Sequence, residues 1–153
     1  MIRPVKQHDA QAIADIYNHY IKNTVITFEE ACIDSNEMFK RIEKVTDANL
    51  PWLVIEESGI LLGYAYAAPW KARSAYRFSV EATVYLAPKE QGKGLGTQLY
   101  KALFSELRKK SIHSVLGGIT LPNPASIALH EKLGMTKVAH FHQIGREFDQ
   151  WLD

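Results

Sequence analysis

Cysteine is nearly absent: the 153 residues hold one, Cys32, so no internal disulfide can form. A chain without a cross-link suits a reducing compartment, and a cytoplasmic protein is expected. Long apolar runs are lacking too. The longest largely apolar stretch without a charge, 60–70, falls well short of the roughly 20 residues a membrane-spanning helix needs. The first nine residues carry no apolar run of the signal-peptide kind, so no membrane partner is expected. Net charge is only +1, from 18 basic and 17 acidic residues, which gives no bulk field for a nucleic-acid partner. Repeats, low-complexity tracts and linkers rich in proline, glycine or serine are missing. With 46% hydrophobic and 23% charged residues, 1–153 are expected to form a single globular domain that needs neither disulfide nor metal.

What is present alternates between two periodicities. Residues 2–5 read as a first strand. Asp9 is placed to cap a helix whose Ile13, Ile16, Tyr17, Tyr20 and Ile21 share one face. Residues 23–32 read as a loop. Asp34, three before Glu37, makes a capping pair for a second helix to about Lys44. Strands at 52–57 and 60–66 flank Ser58-Gly59, a tight-hairpin signal. Residues 67–77 form a loop rich in aromatic and basic side chains, and 78–86 alternate as a strand. Beyond the glycine-rich stretch 92–96, Leu95, Leu99, Ala102, Leu103 and Leu107 line one face of a helix. Residues 114–121 read as a strand, Asn123-Pro124 opens a short helix ending at Gly134, and 135–144 read as a last strand. Hairpins early and βαβ units late predict a mixed α/β fold, a central and mostly antiparallel sheet flanked by helices.

Gln91-Gly92-Lys93-Gly94-Leu95-Gly96-Thr97 falls between a strand and a helix. Glycines let backbone N–H groups crowd around an anion, and the free N–H groups of a helix start complete the cradle. The geometry suits a diphosphate; the alternative is a flexible turn. No Gly-Lys-Ser/Thr occurs, which excludes a Walker loop. Thr97 stands where a dinucleotide fingerprint needs its third glycine, and 112–118 hold no acid for the ribose. Three other features carry no site. Cys32 lacks a basic partner or helix start to activate it and is expected to pack. His140 and His142 share a strand face without a third ligand, so no metal is expected. Arg108 to Lys110 put positive charge at a helix end, which suits the dipole.

The glycine stretch matches Q-x-x-G-x-G. Together with "TFEE" at 27–30, "PWKARSAYRFSVEATVYL" at 69–86, "QGKGLGTQLY" at 91–100 and "LPNPASIALHEKLGM" at 121–135, it makes the chain resemble the GCN5-related N-acetyltransferases (GNAT). More narrowly it resembles their phosphinothricin/methionine-sulfone acetyltransferase branch, over roughly residues 1–145. The resemblance implies acetyl-CoA as co-substrate, no metal, and a splayed or bulged strand that exposes amides to the pantetheine arm and the thioester carbonyl. Those positions are Val84, Tyr85 and Leu86. The pyrophosphate falls on Gln91 to Thr97. Asn123 either reaches the coenzyme or simply caps the helix at Pro124. Glu81 is implied as the general base, through water, with burial raising its pKa; the alternative is a solvent-facing or ion-paired glutamate. His130 is acid, base or water-positioner, or merely a packed or surface histidine. Arg73, Tyr76 and Arg77 form a candidate clamp for an amino-acid carboxylate, with Thr27, Phe28 and Glu29 as the opposite wall; the alternative is a solvated loop.

The implied activity is transfer of acetyl to the amine of a small amino-acid derivative by direct attack in a ternary complex. Phosphinothricin, methionine sulfone and methionine sulfoximine are the acceptors the branch suggests. The rivals are another amine (a polyamine, an antibiotic or a protein terminus) and a coenzyme A-binding module without catalysis. Relatives continue past the sequence matching "FDQWLD" into one more strand. Either the sequence is truncated or that strand is absent, and its loss would leave the edge of 135–144 bare. The bare edge and the branch's habit point to a homodimer.

Overall fold

Alternation along two adjacent strands sets the architecture. In the computed structural model, which describes residues 1–153, β2 (Trp52–Glu57) and β3 (Ile60–Pro69) form a hairpin at the centre of a five-stranded sheet. The flanking strands are β1 (Ile2–Pro4), β4 (Ser79–Leu86) and β5 (Ser114–Leu116), in spatial order β1-β2-β3-β4-β5. The first three pairings are antiparallel and β4–β5 is parallel, the expected mixed sheet. Period-two alternation sends Trp52 and Val54 to one face, and Leu53 and Ile55 to the other. Helices α1 (Ala10–Asn23) and α2 (Ser35–Asp47) cover the first face with Ile13, Ile16, Tyr20, Met38, Ile42 and Val45. Helix α3 (Leu95–Lys109) covers the second with Leu99, Tyr100, Leu103 and Leu107. A short α4 (Pro124–Lys132) follows, then a separate hairpin of β6 (Gly145–Glu147) and β7 (Gln150–Leu152).

Asp34 caps α2 as expected, accepting the Glu37 N–H at 2.8 Å. Asp9 does not cap α1 with its side chain. Its buried carboxylate instead accepts the Lys6 N–H at 2.7 Å and two guanidinium bonds from Arg3, at 2.8 and 2.9 Å, which offset the cost of burying the charge. Strand β3 runs on through Ala67 to Pro69, because β4 offers partners as far as Val80. Strand β5 stops at Leu116, not 121, since Gly117 and Gly118 bring no side chains to pack there. Residues 135–144 are not a strand. They pair with no neighbour, and His140, Phe141, His142 and Ile144 are exposed, so the expected bare strand edge does not form. Cys32 is exposed rather than packed.

Candidate active site

Strand β4 pairs with β3 from Val80 to Leu86, but with β5 only over Ser79–Glu81. Beyond Glu81 its second edge is open. The splay comes without a bulge in β4: its register against β3 is unbroken, and the register shift lies between Ile55 and Glu56. The Ala87 N–H donates to the Leu62 carbonyl at 2.8 Å. With the antiparallel register this makes Tyr64–Tyr85 a hydrogen-bonded pair and turns the backbone groups of Ala82, Val84 and Leu86 to the open edge. Of the three expected amides, those of Val84 and Leu86 therefore face the opening, and that of Tyr85 faces β3. One carbonyl on this edge already has a donor: the Tyr20 hydroxyl donates to Leu86 at 2.5 Å, while the Tyr100 hydroxyl stands 3.3 Å from the Ala82 carbonyl.

The glycine stretch continues from that edge into α3. Gly92 (φ 77°) and Gly94 (φ 78°) are left-handed, and a Cβ on either would meet nothing within 4 Å. Backbone conformation, not space, requires glycine at both. Gly94 precedes α3 without any side-chain cap, which leaves the N–H groups of Leu95, Gly96 and Thr97 as free donors at the positive end of the helix dipole. Gly96 is buried, and a Cβ there would stand 3.3 Å from Leu129, so it sets the approach of α4. Lys93 is paired with Glu90 at 2.9 Å.

Glu81 lies opposite Ala68 in β3 and Leu116 in β5. It is half-buried with no cation or donor against it, and burial pushes its carboxyl above the usual carboxylate range. A Cβ on Gly118 would stand 3.1 Å from Glu81 Oε1. His130 packs on the other side of this glycine pair: a Cβ on Gly117 would lie 2.7 Å from its Nε2. The ring is buried. Its Nδ1 lies 2.6 Å from the Ser126 carbonyl, which assigns the proton to that nitrogen and leaves Nε2 to accept from the Tyr100 hydroxyl at 3.3 Å. Asn123 caps α4, its Oδ1 accepting the Ser126 N–H at 3.2 Å; its amide nitrogen has no partner.

The expected acceptor residues fall into two groups. Arg73 and Arg77 line one cavity of about 350 Å³ together with Lys71, Ser74, Ser79 and Val80; none of the lining residues is a carboxylate. Arg77 is held by the Ser74 carbonyl at 3.0 Å and lies 4.4 Å from the Phe78 ring centre, whereas Arg73 has no partner. Tyr76, Thr27, Phe28 and Glu29 do not line that cavity. Thr27 closes a turn by accepting the Glu29 N–H at 3.2 Å. Phe28 is left-handed (φ 55°) with its ring over Gly145, where a Cβ would come within 2.5 Å. Glu29 accepts two bonds from Arg41, which hold its carboxyl below the usual range, and a third from Tyr17. Neither Arg41 nor Tyr17 stands out as a partner of Glu29 in the sequence; only the Glu37–Arg41 spacing of four hints at an ion pair.

His140 and His142 gain a third group that their spacing did not reveal. Asp153 reaches their rings at 2.8 and 3.2 Å and accepts the Gln143 N–H at 2.7 Å. The Lys137 ammonium sits 3.4 Å from His140 Nδ1, which makes that nitrogen the acceptor and puts the proton on Nε2, facing Asp153. The set is arranged as a hydrogen-bonded cluster, with a cation already beside it.

An acetyltransferase (GNAT) domain model matches residues 2–153. A phosphinothricin N-acetyltransferase of Streptomyces viridochromogenes is 40% identical, over 99% of this chain and 82% of its own length. An L-methionine sulfoximine/L-methionine sulfone acetyltransferase of Salmonella typhimurium is 38% identical, over 99% of this chain and 89% of its own. Among solved structures, a phosphinothricin acetyltransferase of Sinorhizobium meliloti in complex with acetyl-CoA superposes with TM-score 0.95 at 33% identity, covering 99% of this chain and 83% of that one. The yncA protein of Salmonella typhimurium, solved with acetyl-CoA, gives 0.96 at 37% identity, covering 99% and 88%.

Proposed function

The chain belongs to the GNAT acetyltransferase family, and from that premise we propose that it transfers the acetyl group of acetyl-CoA to the amine of a small amino-acid derivative of the phosphinothricin, methionine sulfone or methionine sulfoximine type. The observation that carries this reading is the open edge of β4. Unpaired amides of Val84 and Leu86 run toward a glycine cradle at a helix start, and a half-buried, unpartnered Glu81 sits on the same strand.

In this reading the cradle from Gln91 to Thr97 takes the pyrophosphate, and the free amide nitrogen of Asn123 adds a coenzyme contact. Glu81 removes a proton from the acceptor ammonium, through water, and the neutral amine attacks the thioester carbonyl. Of the two exposed N–H groups, those of Val84 and Leu86, one holds the oxyanion that develops and the other pairs with the pantetheine arm. Collapse breaks the C–S bond, and the departing coenzyme thiolate takes up the proton that the attacking nitrogen loses as it becomes the amide. Arg73 holds the acceptor's carboxylate with two parallel bonds, with Arg77 in the same cavity, and Tyr76, Thr27, Phe28 and Glu29, outside that cavity, form the opposite wall of the acceptor site. His130 serves by position: its Nε2 accepts from the Tyr100 hydroxyl and so holds that side chain beside the Ala82 carbonyl on the open edge.

Free-thiol release from acetyl-CoA across a panel of amines tests the proposal. Methionine sulfone, methionine sulfoximine and phosphinothricin are expected to turn over far faster than a polyamine, an aminoglycoside or a peptide amino terminus. Preference for a polycation would move the acceptor assignment away from Arg73. Coenzyme binding with no turnover on any amine would make the chain a binding module.

The same reading takes residues 1–153 as one catalytic domain acting in the cytoplasm as a homodimer. Exposed Phe141, Ile144, Phe148 and Trp151 support a self-association surface. A light-scattering mass of twice 17.3 kDa is expected, and the single mass at all concentrations would count against the dimer.

A further inference from the structure

Tyr20 belongs to α1, outside every motif that marks the site, and it is buried. Its hydroxyl joins two parts of the coenzyme site. It donates to the Leu86 carbonyl at 2.5 Å and accepts from the Gln91 side-chain amide at 2.7 Å. Leu86 ends β4, and Gln91 opens the glycine cradle. One phenol offers one proton and accepts in return, so both capacities are used.

The Leu86 carbonyl faces the open edge, where a neighbouring strand would normally supply an N–H. Tyr20 supplies the donor from a helix instead. The carbonyl is satisfied without a strand that would close the edge against a ligand. The second bond fixes Gln91, whose side chain is otherwise exposed, at the entrance of the cradle. The phenol itself is firmly placed. Its ring lies 5.0 Å from that of Tyr85, and its own carbonyl accepts both the N–H and the hydroxyl of Thr24.

We propose that Tyr20 is a positioning residue for acetyl-CoA: it sets the open edge of β4 and the glycine cradle in one register, so that a single coenzyme molecule engages both. This rests on the acetyl-transfer reading above.

Tyr20→Phe keeps the ring and removes only the hydroxyl. Expected are a rise of about tenfold in KM for acetyl-CoA, the scale of one or two lost hydrogen bonds, an acceptor KM within about twofold, and a nearly unchanged melting temperature. Gln91→Met should produce a similar rise. The double variant should be little worse than either single one, because both remove the same junction. A merely structural tyrosine would lower the melting temperature and leave the two KM values moving together. Unchanged acetyl-CoA KM in folded Tyr20→Phe overturns the proposal. Should that variant not fold, unchanged KM in Gln91→Met, altered at an exposed position, overturns it as well. Wild-type protein without affinity for acetyl-CoA would overturn the acetyl-transfer reading itself, a distinct result.

Discussion

Arg41 and Glu29 meet in a two-point ion pair, with Nη1–Oε2 at 2.8 Å and Nη2–Oε1 at 2.7 Å, that fastens the loop after α1 to the middle of α2. Tyr17 donates a further bond to the same carboxylate, and its ring meets Tyr85 of β4 edge-on at 5.4 Å. The charge of Glu29 is thus spent inside the protein. As part of the acceptor wall it acts through the shape of its loop rather than as a free anion.

Arg41→Ala should therefore disturb the acceptor more than the coenzyme. We expect the acceptor KM to rise several-fold, acetyl-CoA affinity to hold, and stability to fall by about 1 kcal/mol, the scale of a well-formed but partly exposed pair. Steady-state kinetics with each substrate varied in turn separate the two. A change confined to acetyl-CoA would place the loop on the wrong side of the site.

Gly118→Ala addresses the carboxylate from the other direction. The new methyl would stand 3.1 Å from Glu81 Oε1, so the carboxylate must give by a few tenths of an ångström. Turnover is expected to fall about fivefold, because small misplacement of a reacting group is costly. Binding of both substrates should hold. Full activity in this variant would mean that Glu81 has room to spare.

Arg73→Ala should raise the KM for amino-acid acceptors by about 10–100-fold, the loss of a charge-assisted pair of bonds. Acetyl-CoA affinity should not move. Wild-type enzyme should likewise discriminate between an amino acid and its methyl ester. Equal kinetics for that pair of substrates would remove the carboxylate clamp.

Acid sensitivity should report on Arg3, Asp9 and Glu56. Burial pushes the Asp9 carboxyl up, but the Arg3 guanidinium and the Lys6 N–H outweigh it and leave it below its ordinary 3.8. A carboxylate with a depressed folded pKa stabilises above its unfolded value and loses that contribution as pH falls through the folded one. Melting temperature should hold down to about pH 4 and drop below it. Arg3→Met leaves Asp9 buried and unpaired, so its stability should fall at neutral pH and recover in part on mild acidification. Parallel melting curves for the two proteins at every pH would refute this.

Much of this was legible in local spacing. The leucines at 99, 103 and 107 are buried as their period demands, Asp34 caps where it should, and the left-handed Gly92 and Gly94 stand before a helix. The failures came where long-range pairing decides. Asp9 reads as a helix cap until Arg3 and Lys6 are seen to claim it. Residues 135–144 carry a strand-like pattern, but a strand needs a partner, and none lies beside them. Glu29 lies 12 residues from Arg41, and Tyr20 lies 66 and 71 residues from Leu86 and Gln91. No periodicity encodes such contacts.

The most direct measurement is turnover of Glu81→Gln across pH with the best amino-acid acceptor. The substitution preserves shape and removes basicity. At neutral pH the rate should fall by about 10²–10⁴, the usual size of a general-base contribution, with acetyl-CoA affinity nearly unchanged. The deficit should shrink as pH rises and more acceptor arrives already neutral. The wild-type rate should fall as pH drops through a value above the ordinary 4.5 of a glutamate, because burial raises that carboxyl. Near-normal turnover of Glu81→Gln at neutral pH would contradict the account and put the base elsewhere.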